Sequence, residues 1–461
     1  MRVRILAGWW LAGWLTLATP AAGVAQTFPD YDPSFGPPTG WTGRTFTLSQ
    51  DYPAQLPPPE TRPWEAIDFR QDALGYLRAV LSYALEGNTD IDFDVARNPV
   101  RTWYHTPWLH PGCFGREFVG GLTRERRSRA GELHPAQTSG ADNWAVGFYN
   151  PPGGYAVGRV WKTATGRPDP AAASFPPGTV SFKLLFTTAT PAQVPFLANT
   201  LEWDANIYPE TGANPCPAGQ PPAPRSNAAV RLLQIDVAVR DDRAGPTGWI
   251  FGTFIYDGSA PGARVWDRLV PVGLTWGNDP GVTVRMRDPG AFANPALMQS
   301  IVNEQLLEPN VVGTDRARVR HLGLGGRLNG PVDNPISSCI SCHGRAASPD
   351  LPLVPNVQGP ANYTEDLLGR FFENVPGGAG PVPGDSRIRL DYSLQLATGL
   401  ENYCRVNACQ APPGPSPNPV AVPASPAPVP TAARAAVPSV NREGGAELAT
   451  APGALPGTGS A

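Results

Sequence analysis

The chain lacks the motifs of several common enzyme classes. There is no G-x-S-x-G elbow, which argues against an α/β-type serine hydrolase. The glycine-rich stretch GLGGRLNG at 323–330 has neither G-x-G-x-x-G spacing nor a strand before it, which argues against a dinucleotide site. One C-x-x-C pair exists, without a second C-x-x-C or C-x-x-H to complete a tetrahedral zinc site. No internal repeat is visible, and after the first 25 residues no apolar run is long enough to span a bilayer. Lysine is scarce, Lys162 and Lys183 being the two among 36 basic residues. Positive charge is not in excess either. Without Arg2 and Arg4 of the first 25 residues, 34 basic side chains face 39 acidic ones. A net charge near −5 argues against nucleic-acid partners.

What is present is CISCH, residues 339–343. C-x-x-C-H is the attachment signature of a c-type haem. Two thiols add across the porphyrin vinyl groups, and the adjacent imidazole is held under the iron as its proximal ligand. The spacing lets two thioether links and one axial bond reach a single rigid macrocycle. Cys339 and Cys342 are therefore the expected covalent sites of one haem c, and His343 the expected iron ligand.

The amino terminus agrees with that chemistry. Arg2 and Arg4 precede a mostly apolar run from Ile5 to Ala18, and Gly23 and Ala25 stand at small-residue cleavage positions. Residues 1–25 read as a secretory signal peptide, which predicts a periplasmic protein with no membrane span after cleavage. Four cysteines remain: Cys113, Cys216, Cys404 and Cys409. An even remainder in an oxidising compartment predicts two disulfides. Cys404 and Cys409 are close enough to pair locally, and Cys113 with Cys216 would follow; four free buried thiols are the alternative.

Composition divides the mature chain. Residues 26–63 are rich in Pro and Gly and read as an extended arm. Residues 64–290 read as a helix plus a β-rich domain, and 291–410 as a cytochrome c-like haem-binding region. Residues 411–461 form a Pro/Ala-rich tail unable to bury a core. A helix is expected from Thr61 and Pro63 to Gly87-Asn88, with Ile67, Leu74, Leu77, Leu81 and Leu85 on one face. Period-two runs at 143–150, 179–187, 230–241, 247–258 and 268–279, separated by Gly/Pro turns, predict antiparallel strands. Helices are expected at 363–375, capped by Thr364, and at 390–404. The fold class is thus α+β: an antiparallel sheet domain with a helical c-type haem-binding segment. A separate cytochrome c domain from about Met298 onward is the alternative architecture. The basic block RERRSR at 124–129 reads as a solvated loop that could steer an acidic redox partner.

The order of the β runs resembles the cytochrome P-460 family and its relatives, the cytochromes c′-beta. The resemblance rests on Tyr149-Asn150, the turn Phe175-Pro176-Pro177-Gly178 with Lys183, the pair Arg240-Asp241, Thr247-Gly248-Trp249, and the CISCH motif. It covers residues 143–257 plus the haem motif. It implies chemistry on hydroxylamine, or nitric oxide binding, at an open iron, and a Lys linked to the porphyrin. The chain departs from that pattern, because more than eighty residues separate Trp249 from Cys339.

The sixth ligand separates the functional readings. No Met follows His343, so the downstream Met of a small cytochrome c is missing. Distal candidates are Met286, Met298, His321 and Lys183, with His105, His110 and His134 as further nitrogen donors. A filled site predicts electron transfer with periplasmic redox partner proteins. An empty one predicts an oxidoreductase acting on a small nitrogenous ligand.

Overall fold

A computed structural model describes residues 27–208, 214–282, 294–303, 306, 322–354 and 364–409. The expected signal peptide, the Pro/Ala tail, Met286 and His321 lie outside these residues. The fold is α+β, built on an antiparallel sheet.

All five period-two runs are strands. They are β2 (Asn143–Tyr149), β3 (Val180–Thr187), β5 (Ser226–Arg240), β6 (Trp249–Tyr256) and β7 (Leu269–Thr275). Two-residue β1 (Thr123–Arg124) and three-residue β8 (Ser300–Val302) close the edges, in the order β1-β2-β3-β5-β6-β7-β8. The strand β4 (Glu202–Ile207), which sequence periodicity did not single out, pairs with the first half of β5.

Strand alternation gives this sheet two different faces. Phe148, Phe182, Leu184, Ile235, Val237 and Phe254 point into the main core. Helix α1 (Ala73–Leu85) covers that face through Tyr76, Leu77, Val80 and Leu81. Its approach needs glycine at 252, where a Cβ would stand 2.2 Å from Leu77 Cδ2. The opposite face carries Tyr149, Ala238, Trp249 and Phe251, which join a second core with Ile340, Leu390, Tyr392 and Leu396.

Several expectations about these segments need correction. The first helix starts not at Pro63 but at Ala73; Pro63–Ala66 is only a 3-10 turn. The Asp72 carboxylate, which accepts from Gly75 N, supplies the cap. Between the first two runs the expected Gly/Pro turn is absent: Pro151-Pro152-Gly153-Gly154 opens helix α2 (Pro151–Trp161). Asn150 caps it through Gly153 N, and the prolines occupy first-turn positions where a missing N–H costs nothing. The last helix, α5 (Leu394–Asn407), begins after Ser393, while Leu390 lies in a strand. Thr364 does cap α4 (Glu365–Gly369), but that helix ends at Gly369 instead of running on to Val375. The RERRSR block is not a free loop, since Arg124 pairs with Asp142 and Arg126 with Glu132, both at 2.7 Å.

Residues after 290 share one compact unit with those before. Strand β8 pairs with β7. Helix α3 (Cys339–His343) and α5 lie on the second sheet face, and Gln395 packs where a Cβ on Gly147 would be 2.1 Å away. A smaller sheet, β10 (Ala379–Pro381), β11 (Ile388–Leu390) and β9 (Ala347–Ser348), follows α3. Among the described residues no helix is long and apolar enough to cross a membrane.

Cys113 pairs with Cys216 and Cys404 with Cys409, whereas Cys339 and Cys342 stay unpaired. Thiol titration of unfolded, unreduced protein should find no free thiol if CISCH is alkylated by haem, and two if it is not. A count of four would contradict the pairing.

Candidate functional site

The CISCH motif is a single helical turn, and its surroundings hold it at both ends. Ser338 caps it, its hydroxyl accepting from Ser341 N at 3.1 Å while Ser341 Oγ accepts from Ser338 N. The same Ser338 hydroxyl donates to Asn278 Oδ1 at 2.9 Å. Asn278 is held in turn by Asn374 and by the carbonyl of Glu373. Arg327, 1 % exposed, donates from Nε to the Asn278 carbonyl at 2.6 Å. Cys339 N donates to Leu328 O, and fully buried Ile340 anchors the turn in the second core.

Three reactive groups emerge from that turn. Burial pushes the Cys342 thiol up to about 11, and Cys339 well above its usual value, with Asp333 and Asp236 adding to the latter. His343 packs on Phe251, ring centroids 4.5 Å apart. Its Nδ1 lies 2.9 Å from the Tyr392 carbonyl. Burial lowers the imidazole to about 4, so it is neutral at pH 7. A carbonyl only accepts, so Nδ1 carries the proton and Nε2 presents its lone pair. Two thiols and one oriented nitrogen donor on one turn can form two S–C bonds and one N–metal bond.

Beside Cys339 the second sheet face is charged. Lys183 and Asp236 are directly paired across β3 and β5, with Nζ 3.3 Å from the carboxylate, and Glu125 lies 3.8 Å from the same ammonium. Asp236 also accepts from Thr253 Oγ1 and Gln234 Nε2. Burial alone would lower the lysine, but Glu125, Asp236 and Asp333 together hold it above its ordinary value. Asp333 is raised to about 6 by burial and by Asp236.

Of the other donors weighed from sequence, Met298 is 76 % exposed on the turn before β8. His105 is buried, its Nδ1 accepting from Ser49 N at 2.9 Å, and buried His110 stacks on Trp108. His134 accepts from Ala136 N. Lys183 is the candidate whose charge acts on both Cys339 and His343.

The pieces that carry the P-460 resemblance interlock. Asn150 Nδ2 donates to Gly178 O at 2.9 Å, Gly178 N to Arg240 O at 2.8 Å, and Arg240 Nη1 to Gly248 O at 2.7 Å. Sequence reasoning missed the residues that join this lock to the CISCH turn: Asp391, Tyr392 and Phe251. Nothing local marks them; Ser393, expected inside the 390–404 helix, is its cap in the structure. Compared with protein-family models, curated proteins and solved structures, the chain matches none.

Proposed function

We propose that this chain is an exported mono-haem c-type cytochrome that transfers electrons between periplasmic redox partners. Cys339 and Cys342 would hold the haem covalently, and His343 would be its proximal ligand. The observation that carries this reading is the donor set itself. The two thiols of CISCH remain unpaired while the other four cysteines are bridged, and Tyr392 fixes the His343 tautomer that frees Nε2. When bound, the haem would supply a one-electron couple. The protein's own part is to orient the imidazole, to bury the site against Phe251 and Ile340, and to place charge beside it. Two disulfides and an amino-terminal signal are consistent with the periplasm.

A second reading, oxidation or binding of a small nitrogenous molecule at an open iron, is favoured by one observation. Lys183 is held as an ammonium by Asp236 and Glu125, so it offers no lone pair as a sixth ligand. Optical spectra of the purified protein in both oxidation states test both readings. A low-spin ferrous spectrum with slow carbon monoxide uptake supports electron transfer. Rapid stoichiometric uptake with a high-spin spectrum supports small-molecule chemistry, and no haem absorption overturns both.

A further inference from the structure

The carbonyl that orients His343 belongs to a short segment in an unusual conformation. Asp391 and Tyr392 both have positive φ, +47° and +67°. Left-handed backbone is costly for a non-glycine residue, and it persists only where the surroundings over-determine it. Asp can soften that cost through its short polar side chain; Tyr cannot. Both residues are nevertheless buried, at 2 % and 5 % exposure.

The over-determination is visible in the contacts of Asp391. Its Oδ1 accepts from Trp249 Nε1 at 2.8 Å and from Gly378 N at 2.7 Å. Its Oδ2 accepts from Phe175 N at 2.7 Å. Three N–H donors from three separate segments therefore meet one carboxylate. Tyr392 is tethered by its hydroxyl, which donates to Val375 O. Ser393 is joined to Tyr149 through their hydroxyls, 2.8 Å apart. The outcome is that the Tyr392 carbonyl stands 2.9 Å from His343 Nδ1.

We propose that Asp391 is a positioning residue: by gathering the N–H groups of Trp249, Gly378 and Phe175 it holds the strained Asp391-Tyr392 turn that aims a carbonyl at His343 and so tunes the iron's axial ligand. This inference rests on the haem reading above. A hydrogen bond from Nδ1 makes the imidazole a stronger donor through Nε2. A stronger donor stabilises ferric over ferrous iron. Loosening the turn therefore raises the reduction potential.

Asp391→Asn keeps the shape but replaces one acceptor with an NH2 group, which then opposes an incoming N–H. The ferric/ferrous equilibrium should move about tenfold toward ferrous, a rise of about 59 mV for one electron, and the iron–imidazole vibration should weaken. Trp249→Phe removes a single donor and should shift both in the same direction by less. Tyr392→Phe keeps the backbone carbonyl but removes the tether to Val375, and should likewise shift both in the same direction by less. A merely structural role for Asp391 would lower the melting temperature without moving the potential. Covalent haem is quantified first in each preparation by its alkaline pyridine spectrum. No covalent haem in the wild type overturns the haem reading, and this one with it. A wild-type haem content with an unmoved potential in Asp391→Asn overturns the positioning role alone. If Asp391→Asn does not fold, Trp249→Phe decides: a raised potential supports the role, and an unchanged one overturns it.

Discussion

Replacing Cys339 and Cys342 together by alanine should abolish the haem stain of the denatured protein, leaving at most haem that extracts into acidified organic solvent. The reasoning is covalent. Only a covalent link survives denaturation, and the other four cysteines are bridged to one another. Each single variant keeps one link. It should retain a weakened stain, with the reduced pyridine spectrum shifted toward that of a haem with one free vinyl group. The fold should survive the loss. Cys342 is only partly buried, and the turn is anchored by Ile340 and by the Ser338 cap. Undiminished stain in the double variant would show that CISCH is not the attachment site.

Arg327→Met should cause the largest loss of stability among single substitutions near the site. Arg327 is 1 % exposed and donates to four carbonyls: Asn278, Leu324, Asp279 and Val282, at 2.6 to 3.2 Å. Its guanidinium also lies 4.6 Å over the Phe372 ring. Burial lowers it to about 10, so it remains a cation at neutral pH. Methionine fills much of the same volume but donates nothing. Several buried acceptors then lose a charged partner at once, which costs about 3–5 kcal/mol. The loss should appear as a lower denaturation midpoint with an unchanged slope. Because Arg327 also fixes Asn278, which accepts from the Ser338 cap, the variant should load less haem. A stability change below about 1 kcal/mol would mean that water replaces the guanidinium without penalty.

These two effects differ in how they could have been foreseen. The cysteines announce themselves by spacing within five residues. Arg327 sits in a glycine-rich stretch that looks like an ordinary loop, and its partners Asn278 and Asp279 lie almost fifty residues upstream. The same contrast runs through the fold. Strands β2, β3, β5, β6 and β7 were legible because a half-buried strand writes alternation into consecutive residues. Helix α2 was not, because Asn-Pro-Pro-Gly-Gly suits both a turn and a capped first turn. In the structure the rings of Tyr104 and Tyr149 close on Gly154 and Gly153, where any Cβ would clash. The start of α1 was misplaced for a related reason: Pro63 begins a short turn as readily as a long helix, and Asp72 supplies the actual cap.

By itself the sequence determined the α+β class, the five central strands, the Thr364 cap and the concentration of two thiols and one imidazole in CISCH. An even count of remaining cysteines also pointed to two disulfides, with four free thiols as the alternative. All of these depend on side chains close together in the chain or on simple parity. Only the tertiary structure decided that Lys183 is locked between Asp236 and Glu125 beside Cys339, and that β8, α3 and α5 share one body with the sheet. It alone placed the Tyr392 carbonyl on His343 and the Asp391 carboxylate beneath it. Those hydrogen bonds join residues up to 216 positions apart. They form because burial leaves each polar group no water to bond, so each must find its partner wherever packing brings one.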